Sequence, residues 1–260
     1  MKNAIIKGFM FILFVSLLAA CGSGDANSSA EGNNDSGEKK VLKMATSADF
    51  PPFESYDTEG NFVGFDIALA QSIADELGYE LEIEDMDFDG LIGSLQAKRV
   101  DLVLSGMSAT DARKENVDFS TEYHRSGEMF ISKTDAGIED LESLEGKIVG
   151  VQLGTIQEEG ADELASEYGF EVKKTDDVSI LIQEMNSNRI DVAYMDKTVA
   201  LGYMESQGFA GFDDPTSSSP GMAIAFPKGS AIVEEVNAVL AKFEEDGTLQ
   251  KLKDEWLAEE

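Results

Sequence analysis

The chain contains very few of the residues from which metal centres and nucleophilic catalytic sites are commonly built. Its 260 residues include one cysteine and one histidine. A single cysteine excludes a disulfide within the chain, as well as zinc or iron–sulfur sites made from several cysteines. With His124 as the only histidine, a Ser-His-Asp triad has no support, and the sequence has no phosphate-binding loop. We therefore expect neither a bound metal ion nor a cofactor.

Positive charge is also scarce. The sequence has 20 Lys and Arg residues against 51 Asp and Glu residues, which gives a formal net charge of −31. Proteins that bind nucleic acid neutralise its phosphates with basic side chains, so this charge argues against nucleic acid as a partner. The length allows one large domain or two ordinary domains with a well-buried core.

The first twenty residues have the pattern of a secretory signal. A start with two lysines is followed by an apolar segment, Phe9 to Leu18, which is short for a membrane span, and then by Ala19-Ala20. Cys21 comes next, and Leu18-Ala19-Ala20-Cys21 resembles the bacterial lipobox, in which the cysteine is lipidated and becomes the mature N-terminus. The alternative is a chance cysteine after an ordinary signal. We predict a lipoprotein signal peptide over 1–20 and lipidation at Cys21.

Residues 22–40 contain almost no apolar side chain and are rich in Gly, Ser and Asn. Such a composition is typical of a flexible tether, with a root-mean-square span of roughly 25 Å on the random-coil estimate. We therefore interpret 21–40 as the lipidated cysteine and a linker that holds a folded body near a membrane.

From Val41 onward, apolar segments typical of strands alternate with amphipathic segments typical of helices. Val41 to Thr46 predicts a strand, and the helical spacing from Ile67 to Leu77 predicts a helix that ends at Gly78. Asp66, at the start of that helix, is interpreted as a charge favoured by the helix dipole and not as a ligand contact. A second series of the same kind begins near Leu141. This alternation predicts an α/β architecture.

One segment of the chain has the features of a carboxylate site. Leu102 to Leu104 predicts a buried strand, which breaks at Ser105-Gly106 and is followed by a helix with Ser108 or Thr110 as its N-cap. In open α/β sheets, ligands bind beyond the carboxyl ends of strands and near helix N-termini. Arg113, just inside the helix, can hold a carboxylate through two parallel hydrogen bonds. The alternative is that Arg113 is a solvated surface residue.

A faint internal repeat suggests a second half of this site. Lys98-Arg99-Val100-Asp101-Leu102 recurs as Asn188-Arg189-Ile190-Asp191-Val192, and in this register Ser105-Gly106 falls opposite Met195-Asp196. Two similar lobes that face each other would bring both segments to one cleft, although chance similarity of two helix-to-strand turns is the alternative. If the repeat is real, Arg113 supplies positive charge and Asp196 negative charge. We therefore hypothesise a site for a zwitterionic α-amino acid.

A set of short motifs spread from Val41 to Glu260 is more specific than these patterns. The motifs are Pro51-Pro52-Phe53-Glu54, Gly64-Phe65-Asp66-Ile67, Phe88-Asp89-Gly90-Leu91-Ile92, Ser105-Gly106-Met107-Ser108-Ala109-Thr110 with Arg113, Val117-Asp118-Phe119-Ser120, Gly150-Val151-Gln152-Leu153-Gly154-Thr155-Ile156-Gln157-Glu158 and Asp196. Together they resemble the family 3 extracellular solute-binding proteins, the polar amino-acid receptors of ABC importers. Two positions depart from the family pattern: Ala68, where an acidic residue is frequent, and His124, where a second aromatic residue is usual.

The resemblance implies a two-lobe α/β fold of the type II periplasmic-binding-protein kind, with a two-strand hinge and the ligand in the interlobe cleft. On this basis the first lobe is expected over 41–131 plus 224–260 and the second over 136–219. The hinge crossings are expected near 132–135 and 220–223.

The resemblance also implies roles for individual residues. Arg113 would hold the α-carboxylate and Asp196 the α-ammonium group, with Ser108 assisting both, while Phe50 and Phe88 would enclose the ligand side chain. The full set of expected ligand-binding residues is Ser47, Phe50, Phe88, Ser105, Gly106, Met107, Ser108, Arg113, Gln152, Thr155, Ile156, Gln157 and Asp196.

The identity of the amino acid is less constrained. Two aromatic rings would suit a guanidinium group through stacking and cation–π attraction. The segment Val149 to Glu158, together with Leu181 to Asn188, resembles the arginine-binding lipoproteins of Gram-positive importers, so arginine is the predicted ligand. Glutamine, lysine, histidine and cystine remain open. The residues expected to sense the ligand side chain are Ser47, Asp49, Glu54 and Gln152.

The expected partners are a free L-amino acid, the permease and ATPase subunits of an ABC importer, and the membrane through lipidated Cys21. The resemblance implies a monomer on the extracellular face of the cell membrane. An extracytoplasmic lyase of the cyclohexadienyl dehydratase type is the enzyme alternative, with Glu54 and Asp49 as the evident acid–base candidates. A sensor subunit is a second alternative. Asp196 and the lipobox favour a binding protein that is not an enzyme.

Overall fold

The computed structural model describes residues 40–257 of the chain. The predictions of a signal peptide and of lipidation at Cys21 lie outside the described residues, as does all of the predicted tether except Lys40. Within the described part, no helix is long and apolar enough to cross a membrane.

The first lobe is built around a five-stranded mixed sheet. Its elements are β1 (Val41–Thr46), β2 (Ser55–Tyr56), β3 (Phe62–Val63), α1 (Phe65–Leu77), β4 (Glu80–Asp85), α2 (Leu91–Gln96), β5 (Leu102–Val103), α3 (Asp111–Lys114), β6 (Val117–His124), β12 (Met222–Pro227), α7 (Ile232–Glu245) and α8 (Thr248–Trp256). The strand order is β4-β1-β5-β12-β6, and β2 and β3 form a separate small ribbon. β1 runs parallel to β4 and β5, whereas β12 is antiparallel to β5 and β6.

The second lobe has a sheet of the same size. Its elements are β7 (Glu128–Lys133), β8 (Ile148–Gln152), α4 (Ile156–Tyr168), β9 (Glu171–Thr175), α5 (Val178–Asn186), β10 (Val192–Asp196), α6 (Lys197–Gln207) and β11 (Phe209–Asp213). The strand order is β11-β7-β10-β8-β9. Its core includes a stack in which the ring of Phe130 lies 4.0 Å from that of Tyr194 and 5.1 Å from that of Phe212.

Helix α1 confirms the helix predicted from apolar spacing. Gly64 precedes it with φ +131° and Gly78 follows it with φ +75°, both in backbone conformations that side chains disfavour. The apolar face of the helix is turned inward and buries Phe65, Ile67, Leu69, Ala70, Ile73 and Ala74.

The expected hinge positions need correction. The chain crosses from β6 to β7 at 125–127, before the expected 132–135, and returns from β11 to β12 at 214–221, which overlaps the expected 220–223 only at 220–221. Residues Met129 to Ile131, which were expected in the first lobe, lie in strand β7, and β7 pairs with β10 and β11 of the second lobe. The cause of the error is that a continuous apolar run predicts a buried strand without indicating which sheet contains it. Both crossing segments lie outside the strands.

The internal repeat is confirmed as a structural repeat. Lys98 (φ +54°) and Asn188 (φ +57°) are the only non-glycine residues with positive φ among the described residues, and they occupy the same position in it. Each follows the helix that precedes a buried strand, so the same backbone turn occurs once in each lobe.

The aspartates of the repeat make matching contacts. Asp101 Oδ2 accepts a hydrogen bond from the backbone N–H of Lys43, and Asp191 Oδ2 accepts one from that of Ile148, both at 2.9 Å. Each aspartate thus ties its turn to the neighbouring strand, β1 or β8. As a result, β5 and β10 end at corresponding places in the two lobes.

Candidate functional site

A cavity lies between the lobes. It is placed at the carboxyl ends of β1, β5, β8 and β10, where the topology of an open α/β sheet locates ligand sites. The lining residues are Ser47, Asp49, Phe50, Glu54, Phe88, Ser105, Gly106, Ser108, Arg113, Gln152, Thr155, Ile156, Gln157, Asp196 and Met222. The structure thus brings together every expected ligand-binding residue except Met107.

Met107 does not line the cavity. Its side chain is fully buried in the core of the first lobe, and its carbonyl oxygen accepts a hydrogen bond from the N–H of Ala223 at 3.0 Å. The chain bends at Ser105-Gly106, where Gly106 has φ +54°, and Met107 points into the core while Gly106 and Ser108 line the cavity. Met222, which no sequence pattern indicated, lines the cavity from β12.

Arg113 joins the two lobes. Its Nη1 donates to the carbonyl of Ser108 at 2.8 Å, and its Nη2 donates across the cleft to the carbonyl of Gly154 at 2.9 Å. The guanidinium also lies 5.4 Å from the ring centre of Phe88. Burial lowers the pKa of Arg113 to about 10, so the side chain is charged at neutral pH. A permanent cation therefore lies in the cleft wall, held on both sides.

Of the two N-caps predicted for the helix that carries Arg113, Ser108 and Thr110, the structure has the later one. Thr110 is the N-cap of α3, and its Oγ1 accepts from the N–H of Arg113 at 3.2 Å. Ser108, the other predicted cap, is not the N-cap. Ser108 instead forms an isolated antiparallel β-bridge with Met222, and it lines the cavity with its hydroxyl 3.4 Å from that of Ser219.

Facing Arg113 across the cavity wall is the N-terminus of α4. Thr155 is its N-cap: Oγ1 accepts from the N–H of Glu158 at 3.1 Å, and the hydroxyl donates to the carbonyl of Gln152 at 2.7 Å. Gly154 precedes it with φ +75°, and a Cβ there would lie 2.9 Å from the Cα of Asp89 in the other lobe. The close approach of the lobes here depends on glycine. Arg113 and the amides of this 13-residue helix form a region suited to a carboxylate.

Asp196 provides the opposite charge. It ends β10, is buried, and caps α6 by accepting from the N–H of Thr198 at 2.8 Å. Glu128, directly opposite in the sheet, is also buried and is hydrogen-bonded to Gln157. Burial, followed by the charge of Asp196, raises the pKa of Glu128 to about 8. Glu128 is therefore protonated at neutral pH and adds no second negative charge beside Asp196. No sequence pattern indicated Glu128, because it directly precedes the apolar run Met129-Phe130-Ile131.

The third wall is aromatic and contains a buried acid. Phe50 packs so closely on Gly106 (φ +54°) that a Cβ there would lie 2.8 Å from its ring. Glu54 is fully buried, and its Oε1 accepts from the hydroxyl of Ser105 at 2.8 Å. The Ser105 hydroxyl accepts in turn from the N–H of Ser47 at 3.0 Å. A carboxyl group thus faces the cavity in the first lobe, next to the aromatic ring.

Asp66 is not the simple helix-start charge that the sequence suggested. It is fully buried, and its Oδ2 accepts from the N–H of Gly106 and from the hydroxyl of Tyr123, both at 2.8 Å. Asp66 does not line the cavity. Its hydrogen bonds fix the backbone of the cavity wall.

A second connection between the lobes runs through Asp49. Its Oδ1 accepts from the hydroxyl of Ser47 at 2.9 Å, and its Oδ2 accepts from Gln152 Nε2 at 2.9 Å and from the N–H of Val178 at 2.6 Å. Burial raises the pKa of Asp49 to about 6. Asp49 and Arg113 thus each hydrogen-bond from the first lobe to the second lobe across the cavity.

Comparison with known proteins agrees with this geometry. Residues 42–259 match the family described as bacterial extracellular solute-binding proteins, family 3. The chain belongs to this family. The family assignment and the two-lobe type II fold expected from the sequence are thereby confirmed.

Several relatives of this solute-binding protein are amino-acid-binding proteins. It is 47% identical over 247 residues to the arginine-binding extracellular protein ArtP of Bacillus subtilis (strain 168), covering 94% of this chain and 93% of ArtP. An ancestral arginine-binding protein bound to arginine is 40% identical with a TM-score of 0.79, over 84% of this chain and 98% of that one. An ancestral arginine-binding protein bound to glutamine is also 40% identical to this chain, with a TM-score of 0.78, over 84% of this chain and 98% of that one. These relatives are binding proteins, and the family is extracytoplasmic.

Proposed function

We propose that this solute-binding protein is the arginine receptor of an amino-acid ABC importer, held at the outer face of the cell membrane through Cys21. The observation that carries the proposal is the charge pattern of the cavity: Arg113 at one wall, Asp196 at another, and Glu54 beside aromatic rings at the third. The similarity to arginine-binding relatives supports it.

The two constant groups of the amino acid account for the first two walls. The α-carboxylate is held by Arg113 and the first amides of α4, and the α-ammonium group by Asp196 with the Gly106 carbonyl and the Ser108 hydroxyl. Opposite charges that are withdrawn from water interact more strongly than at a surface. Because the pKa of Glu128 is raised, its carboxyl group is neutral at pH 7, and the ammonium group pairs with Asp196.

The third wall selects the side chain. The guanidinium group lies between Phe50 and Phe88, where ring faces attract a planar cation. Glu54 and Asp49, which both line the cavity, provide carboxyl groups at this end. A planar cation with five N–H donors satisfies them better than the compact ammonium group of lysine does.

Lobe closure couples ligand binding to transport. Arg113 to Gly154 and Asp49 to Gln152 are bonds between lobes, so they exist only when the cleft is closed. A ligand that contacts both lobes stabilises this state. The permease and ATPase subunits then bind the monomeric receptor in its closed, ligand-bound conformation.

The test is a titration calorimetry series on the full chain in mild detergent, unfolded and refolded beforehand to remove carried-over ligand. We expect arginine to bind with the highest affinity among arginine, lysine, histidine, glutamine and cystine, and citrulline, a neutral analogue of nearly the same shape, to bind more weakly. A higher affinity for another amino acid would contradict the arginine assignment. Absence of binding for all of them would contradict the receptor function itself.

A further inference from the structure

Two buried carboxyl groups of the first lobe are in contact beneath the cavity. Glu54 lines the cavity and Asp66 lies behind it, and both are fully buried. Each carboxyl group is within hydrogen-bond reach of the other. Glu54 Oε2 and Asp66 Oδ1 are buried without a hydrogen-bond donor from the described residues. Two ionised carboxylates do not share such a site, so one proton is held between them.

The proton belongs mainly to Glu54. Asp66 accepts two hydrogen bonds, from the Gly106 N–H and the Tyr123 hydroxyl, which favour its ionised form. Glu54 accepts only the Ser105 hydroxyl. Burial and the neighbouring Asp66 raise the pKa of Glu54 well above its usual value, whereas the pKa of Asp66 rises only to about 6.

The charges around the pair do not neutralise it. Asp49, in the loop after β1, adds negative charge on one side, and Tyr123 of β6 is neutral. Arg113 of α3 and Asp196 of β10 lie in the cavity wall. Among the described residues, no Lys or Arg forms an ion pair with Glu54 or Asp66. A cationic group of the ligand can therefore supply the positive charge that pairs with these carboxyl groups.

We propose that Glu54 exchanges its proton for a cationic ligand side chain, so that arginine binding releases a proton while a neutral amino acid binds to the protonated pair. This inference rests on the proposed function and specifies how the third wall distinguishes charge. Before binding, the pair carries one negative charge. After binding, both carboxyl groups are ionised, the guanidinium adds one positive charge, and the net charge is the same. The Glu54 proton passes to water.

The exchange sets the direction of the pH dependence. Because arginine binds the ionised form of Glu54, its affinity rises with pH up to the pKa of Glu54 in the free protein. Below that pKa, affinity changes by up to about tenfold per pH unit. Citrulline adds no charge and leaves the proton in place, so its affinity does not follow this group. The pair lies wholly in the first lobe, and it is therefore present before the lobes close.

The experiment compares arginine and citrulline with the full chain in detergent, by calorimetry at about pH 7 in phosphate and in Tris, whose heats of protonation differ. We expect arginine to release about one proton more than citrulline. Both ligands have the same α-carboxylate and α-ammonium groups, so contributions from Arg113, Asp196 and Glu128 cancel in the difference.

Variants locate the source of the proton. In Asp66→Asn, Glu54 stays buried but loses the neighbouring carboxylate that also raises its pKa, so we expect the difference in proton release to be smaller than in the parent chain without vanishing. Tyr123→Phe is the matched control, because it removes a hydrogen bond to Asp66 but keeps the carboxyl pair, and the release should persist. Glu54→Gln, which keeps the side-chain shape, should abolish the difference.

The possible failures are distinct. Tight arginine binding with the same buffer dependence as citrulline would overturn the proton exchange and leave the arginine receptor intact. Full proton release from Glu54→Gln would also overturn it, since the proton would then come from another group. If no cationic amino acid binds, the proposed function fails, and the exchange fails with it.

Discussion

Replacing Arg113 by Ala is expected to weaken amino-acid binding by roughly a hundredfold or more, which corresponds to about 3 kcal/mol. The substitution leaves the α-carboxylate of the ligand without its cation in a site withdrawn from water. It also removes the hydrogen bond to the Gly154 carbonyl that joins the lobes. The measurement is calorimetric titration of arginine into the variant and the parent chain under the same conditions.

Two further variants make this prediction specific. Arg113→Lys keeps the charge but not the planar pair of donors, and it should fall between the parent chain and Arg113→Ala. Arg99→Ala removes an exposed arginine of the same lobe and should bind normally. Normal arginine affinity in Arg113→Ala would remove this residue from the site.

Replacing Gly64 by Ala is expected to lower the free energy of unfolding by about 3 kcal/mol or more. The backbone there has φ +131°, and a Cβ would lie 2.2 Å from the carbonyl oxygen of Phe53. That contact is with backbone, which no side-chain rotation relieves. Because Glu54 follows directly, the displaced loop should also lose affinity for arginine.

Gly60→Ala is the matched control for this variant. Gly60 also has positive φ, +85°, but nothing lies within 4 Å of a Cβ built there. It should lose only about 1 kcal/mol, the cost of the backbone conformation alone. Urea unfolding of both variants gives the comparison, and equal midpoints would show that the contact with Phe53 is not responsible.

The parts of the fold that could be predicted are those with strong local signals. Apolar spacing and the glycine at its end located α1. The repeat around Asp101 and Asp191 was visible because the same turn demands the same residues. The cavity lies at the carboxyl ends of strands, and these ends were identifiable in the sequence. These ends and the segments that follow them carry Arg113, Asp196 and the aromatic residues.

What could not be predicted depends on long-range pairing. The side chains of β6 do not alternate regularly between buried and exposed positions, so its sequence gives no clear strand pattern. The apolar sequence of β7 fits a buried strand of either lobe, and the first hinge crossing was therefore misplaced. The roles of Asp66 and Glu128 depend on partners 40 and 29 residues away along the chain, Gly106 and Gln157. An acidic residue at a helix or strand start looks like a surface charge until its burial is known.

The central claim is that the interlobe cavity holds an α-amino acid between Arg113 and Asp196. A crystal structure of the refolded protein with arginine tests this most directly. The account predicts the α-carboxylate within hydrogen-bond distance of Arg113, the α-ammonium group at Asp196, and the guanidinium between Phe50 and Phe88 near Glu54. Arginine bound outside this cavity, or in it with its carboxylate away from Arg113, would contradict the account.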